Sequence, residues 1–281
     1  CTLIIELVAG RIMAPYIGVS LYTWTSIIGV VLAGISIGNY LGGRVADRWA
    51  SPLTLALIFI AGGLSTLGIL IATHFVASNR LFPEWPLVLR IVSYTMIIFF
   101  LPSLILGMVS PVVIKLTLQR LESAGNVVGT IYAFSTAGSI FGTFLTGFYL
   151  VSTFGTRTII WGVAIILLVL GVLTGLFWGG VSRRRVATTA LAGAVALALT
   201  LPVYANRDTY RAPCLRETHY FCIQIHDATI DGHPVRALVL DHLIHAYNSL
   251  TDKTFIGYGY ERVYAELTTY LVADKTEFSV L

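Results

Sequence analysis

Successive apolar runs of about twenty residues, the sixth closed by the triplet Arg183-Arg184-Arg185, leave this chain few folds to choose from. Only 11% of its 281 residues are charged and 56% are hydrophobic. A soluble domain carries about 25% charged residues. A backbone in lipid must satisfy its own hydrogen bonds, so apolar runs of this length are read as membrane-spanning helices. The triplet marks the cytoplasmic end of its span, because basic residues accumulate on that side.

Seven spans are expected. Residues 1–17 are the remainder of the first, and 22–41, 52–73, 87–114, 127–151, 158–180 and 186–204 are the others. Gly34, Gly38 and Gly42 recur at every fourth residue of the second span, which predicts a close helix contact. The fourth span contains Pro102 and Pro111 and is expected to kink. The fifth carries Gly129, Ala133 and Ala137 on one stripe and Gly138 and Gly142 on the next, which predicts a packing helix. The sequence starts within an apolar run and closes on a short β-like segment, 278–281, so both ends read as cut.

Loops on the triplet's side hold Arg44, Arg48, Lys115 and Arg120 as well as the triplet, whereas the opposite loops hold Arg80 and Arg157. With an odd number of spans, everything after residue 204 lies outside the cytoplasm. The charge changes sign there. Residues 1–204 carry 11 Lys/Arg against 4 Asp/Glu, and residues 205–281 carry 7 against 10. The basic excess therefore belongs to membrane loops and not to a nucleic-acid surface.

The tail follows another pattern. Residues 219–227 and 235–240 are rich in β-formers, with Asp231-Gly232 between them, a strong hairpin signal. Val263, Tyr264, Leu267 and Leu271 stand at helical spacing within 260–272. The fold class expected is a mostly α, polytopic membrane bundle (residues 1–204) followed by the β-hairpin and first elements of an α/β Rossmann-type domain (205–281). Cys214 and Cys222 are separated by seven residues, enough for a turn that brings them together. In an extracytoplasmic tail they form a disulfide; in the cytoplasm they stay free thiols.

Several residues could carry chemistry. Glu6 and Arg11 lie inside the first span, where a charge needs a partner or a function. Five residues apart, they point about 140° from one another and pair poorly within one helix. Asn39 stands in the glycine stripe as interhelical glue. His242 and His245, beside Asp241, lack the companion motifs of a zinc site, so no metal is expected. Gly43 to Arg48, with Asp47 and Arg48, resembles the cytoplasmic Gly-x-x-x-Asp-Arg loop of the major facilitator superfamily.

The tail's Tyr220-Phe221-Cys222-Ile223-Gln224-Ile225, then Asp231-Gly232, Val239-Leu240-Asp241 and Tyr260-Glu261, resemble the N-terminal hairpin and following helix of spermidine synthases. Together with the span region, the chain resembles membrane-fused spermidine synthase-like proteins, which join a facilitator-like bundle to an aminopropyltransferase domain. That resemblance implies aminopropyl transfer from decarboxylated S-adenosylmethionine, the donor substrate, to a polyamine or other small cation. It places Tyr220, Asp241, Tyr260 and Glu261 near a substrate cleft. The family's Leu-Asp-Gly has His242 in place of the glycine, and its donor loop and catalytic aspartate would lie beyond Leu281. The 281 residues are then expected to hold no cofactor and no catalytic residue of their own. The lipid bilayer is the expected partner, together with a second copy of the chain, and the bacterial inner membrane the expected location. The alternative is a transporter or membrane scaffold whose extracytoplasmic tail is a binding or sensor module.

Overall fold

The computed structural model describes residues 1–79, 81–118, 120, 123–178, 193–195, 198–202, 205–206, 213–218 and 220–273. The arginine triplet, Arg80, most of the expected seventh span and the expected strand at 278–281 lie outside the described residues. The chain divides into two units, Cys1–Ala212 and Pro213–Leu281.

The first unit is helical: α1 (Thr2–Ile17), α2 (Leu21–Trp49), α3 (Pro52–Asn79), α4 (Leu87–Gly107), α5 (Val109–Thr117), α6 (Ala124–Leu145), α7 (Val151–Phe154) and α8 (Thr156–Leu173). Among the described residues, five helical stretches are long and apolar enough to cross a membrane: Leu21–Trp49, Pro52–Ser78, Leu87–Thr117, Ala124–Phe154 and Thr156–Leu176. This is what an integral membrane protein requires. With 16 residues, α1 is shorter than a full span. Helical residues recur at 193–195, 198–202 and 205.

Local chemistry sets the helix ends. Gly18 leaves α1 at φ 82, a left-handed conformation suited to glycine, and accepts the Thr23 hydroxyl on its carbonyl at 3.2 Å. Ser20 then caps α2 by accepting the Thr23 N–H at 3.2 Å. Ser51 repeats the device on α3, taking the Thr54 N–H at 3.1 Å. The expected loop from Gly43 to Arg48 is helix instead. None of those six residues breaks a helix strongly, so α2 runs on to Trp49, and Asp47 and Arg48 sit in its last turn. The kink of the fourth span falls at Met108 between α4 and α5. Pro111 has no N–H for the carbonyl of Gly107, and its ring crowds that carbonyl. Pro102 is carried inside α4.

The expected glycine contact is present. A Cβ on Gly34 would lie 2.7 Å from the Ser103 Cβ, one on Gly38 2.1 Å from the Leu104 carbonyl oxygen, and one on Gly42 2.7 Å from the Met108 Cα. A second pair is locked alike: Gly63 of α3 lies against Leu168 and the Ala164 carbonyl of α8, and Gly171 of α8 against Ile60 and the Ala56 carbonyl of α3. The apolar core between these pairs is filled from α1 by Ile5, Val8, Ile12 and Met13, with Phe99 and Ile160 opposite.

Among the described residues, the expected packing role of the fifth span is met only in part. A Cβ on Gly129 or Gly138 of α6 would meet nothing described within 4 Å, whereas one on Gly142 would lie 3.4 Å from Ile4. A small-residue stripe permits close approach without choosing the partner. After α6 the helix widens into a π-turn at Thr146–Leu150, and α8 ends in another at Thr174–Trp178.

The second unit is a four-stranded antiparallel meander in the order β1 (Arg216–Glu217), β2 (Cys222–Ile230), β3 (His233–Leu240), β4 (Leu243–Ser249), followed by α9 (Gly259–Val272). Asp231 at φ 50 and Gly232 at φ 81 make the two-residue turn that pairs Ile230 with His233. Cys222, Val235 and Ala237 are buried on one face. Tyr258 and Tyr260 hold α9 to the sheet, donating to the carbonyls of Ile244 and His245 at 2.7 and 3.1 Å. Cys214 and Cys222 form the expected disulfide, with a Cα–Cα distance of 5.2 Å.

Candidate functional site

Asp241 is where the tail's polar chemistry converges. It is only 7% exposed and takes φ 56, a backbone conformation that Asp tolerates better than most residues. Its N–H donates to the Cys222 carbonyl at 2.8 Å, and its Oδ1 accepts the Cys222 N–H at 2.8 Å. Its own carbonyl accepts the Gln224 side-chain amide at 3.0 Å, and the Gln224 Oε1 lies 3.1 Å from the His226 Nε2. Every one of these bonds stays inside the sheet. They tie the β3–β4 turn to the half-cystine that starts β2, so Asp241 acts as a clamp on the disulfide-bearing strand.

The other three tail candidates stand apart from that clamp. Tyr220 is in the β1–β2 turn and 77% exposed, with its ring tilted against Phe221 at 6.4 Å between centroids. Tyr260 anchors α9 on β4 and touches Tyr258 and Tyr264 edge to face. Glu261 is half-buried in the first turn of α9, where a carboxylate complements the helix dipole. Asp241 bonds to Cys222 and Gln224 and to none of the three. His242 lies in the β3–β4 turn and His245 in β4, a strand beyond the expected hairpin. Among the described residues, no group of three His, Cys, Asp or Glu could hold a metal ion.

A second acidic residue shows the sheet's surface electrostatics. Asp227 and Arg236 face each other across β2 and β3, with Arg236 Nε donating to Asp227 Oδ1 at 2.8 Å and Nη2 to Oδ2 at 3.2 Å. The Arg236 hydrogen bond holds the Asp227 carboxyl below its ordinary value. A depressed carboxylate contributes stability that is full above its unfolded pKa and lost as pH falls through the folded one. The effect is confined to the acid side and screened by salt, since both groups face solvent. In Arg236→Gln, the Asp227 titration followed by carboxyl NMR should move up toward the ordinary range; an unmoved midpoint would contradict the pairing.

In the bundle, Glu6 is half-buried on α1, and Arg11 lies further along the same helix, also half-buried. Asn39 is exposed on α2 beside the glycine stripe rather than within its contact. At one end of the bundle, Lys115 Nζ of α5 lies 3.0 Å from Asp47 Oδ1 of α2, joining two segments that the charge pattern assigns to the same side. Arg44 covers the Tyr40 ring at 3.8 Å on the same helix end. Tyr16 and Arg157 meet at 3.1 Å, from the end of α1 and the start of α8. An apolar groove of about 530 Å³ lies between α2 and α4, lined by Tyr22, Ser26, Gly29, Val30, Val92 and Met96. Neither Glu6, Arg11 nor Asn39 lines it.

Comparison of the chain with protein-family models, with curated proteins and with solved structures finds no match.

Proposed function

We propose that the chain is the membrane bundle and leading tail of a membrane-tethered, spermidine synthase-like aminopropyltransferase. The observation that carries this is the order of parts: an antiparallel meander, then a helix anchored to it through Tyr258 and Tyr260, in one chain with a bundle of apolar helices. On this reading Tyr220, Tyr260 and Glu261 border a polycation cleft, while Asp241 shapes it by fixing the β3–β4 turn. The bundle has seven spans, and a Rossmann-type domain that binds decarboxylated S-adenosylmethionine adjoins α9. The bilayer is then the anchor, and the membrane is a bacterial inner membrane.

The native protein, purified from its own membranes and given labelled decarboxylated S-adenosylmethionine and putrescine, should form spermidine. Residues 1–281 alone should form none. Absence of product from the native protein would remove the aminopropyltransferase reading, and product from residues 1–281 would remove the assignment of catalysis outside them.

One observation favours a second reading. The Cys214–Cys222 disulfide belongs to an oxidising compartment, where a cytosolic nucleotide donor is absent. A transporter or scaffold with an extracytoplasmic binding tail fits that location. Glu6→Gln separates the two, since a transporter should lose flux and a tethered enzyme should not.

A further inference from the structure

The turns joining β1 to β2 and β3 to β4 lie at the same end of the sheet, because each Cys222 hydrogen bond to Asp241 crosses between them. That end exposes a run of apolar and aromatic side chains: Tyr220 at 77%, Phe221 at 44%, Leu243 at 69% and Ile244 at 40%. Leu215, at the entry to β1, is 72% exposed, and Arg216 beside it is exposed as well. Leaving four large side chains in water at two adjoining turns is costly, at about 25 cal/mol per Å² of apolar surface.

We infer that this end of the sheet docks into the headgroup region of the bilayer that the chain itself spans. Three observations choose lipid over other partners. The composition is interfacial: amphipathic Tyr220 and apolar Phe221 and Leu243 suit the boundary where aromatic side chains collect, and Arg216 supplies a cation for lipid phosphate. The surface is also within reach. Ala205 is the last described helical residue before the tail, and Pro213 stands eight residues later, a span of at most about 29 Å. The turns are held in place, since the disulfide and the Asp241 clamp fix Cys222 immediately after Tyr220-Phe221. The opposite end of the sheet, with Asp231, Gly232 and Asp252, is more polar and exposes one large apolar side chain just past β4, Leu250 at 53%. The docking follows from exposure and composition and suits either leaflet; on the aminopropyltransferase reading it sets the mouth of the cleft that Tyr220 borders at the headgroup boundary.

The test is depth measurement on the whole chain in vesicles of phosphatidylcholine with phosphatidylglycerol. A nitroxide is placed at Leu243→Cys, or at Leu250→Cys at the far end of the sheet as reference, both in a Cys1→Ser background with the disulfide verified intact by mass. The ratio of oxygen to water-soluble nickel collisions should be at least about threefold higher at 243 than at 250, as for a residue below the phosphates. Adding Tyr220→Ser and Phe221→Ser should abolish that difference while leaving the disulfide in place. Equal ratios at 243 and 250 would overturn the inference. Low collision rates with both reagents at 243 would also overturn it, since they report cover by protein, such as a second copy.

Discussion

Gly38→Leu should be the most damaging single substitution in the bundle. The Cβ alone would stand 2.1 Å from the Leu104 carbonyl oxygen and 3.0 Å from the Gly107 Cα, and both are backbone atoms of α4 that no rotamer change can move. Overpacking a helix contact typically costs about 1–3 kcal/mol, and a clash with backbone belongs at or beyond the upper end. For a chain of this size that is a fall of about 6–12 °C in melting temperature in detergent. Gly29→Leu, on the same helix with nothing within 4 Å, is the control and should stay within about 0.5 kcal/mol of wild type. Equal melting temperatures for Gly38→Leu and Gly29→Leu would mean that α2 and α4 do not meet along this stripe.

Asp241 carries the second large expectation. Asp241→Ala removes the acceptor for the buried Cys222 N–H, a charge-assisted bond worth about 1.5–3 kcal/mol, and sets alanine at a left-handed φ, worth about 1–2 kcal/mol more. A loss of roughly 3–4 kcal/mol should therefore appear in thermal unfolding of the tail, with faster hydrogen exchange at Cys222. Asp241→Asn keeps an acceptor oxygen and tolerates the backbone conformation, so it should stay within about 1 kcal/mol of wild type. The pair of variants distinguishes a clamp from a ligand-binding carboxylate. A binding group would lose ligand affinity in both variants, with stability unchanged in both.

Much of this architecture is legible in the residues themselves. Apolar runs, a four-residue glycine repeat and an Asp-Gly pair between two β-rich segments each point to one structure for local reasons. The α2–α4 contact, the β2–β3 hairpin and helix α9 follow from them. What stays hidden depends on who the neighbour is. Asp47 and Arg48 read as loop because charges usually end spans, yet nothing between Gly43 and Trp49 breaks a helix. The small residues of α6 announce a close contact, but the sequence does not say with whom, and among the described residues only Ile4 comes near, at Gly142. Strand β4 was concealed by its turn, where Asp241-His242 lacks the Asn-Gly or Asp-Gly signature. Asp241 itself shows the limit for sites: the family resemblance sets it near a substrate cleft, and only its distances to Cys222 and Gln224 reveal that it ties the β3–β4 turn to β2.

The two glycine-locked pairs also set where the bundle can change shape. The α2–α4 and α3–α8 pairs meet at distances that leave no side chain between stretches of their backbones, so sliding either pair would require lifting one helix off the other. Each pair is therefore expected to travel as one body. Branched and flexible side chains can re-seat in another rotamer, and those line α1 as Ile5, Val8, Ile12 and Met13. The easiest plane of shear thus runs along α1, so a label on α1 and one on α4 should report relative motion that a pair of labels on α2 and α4 does not.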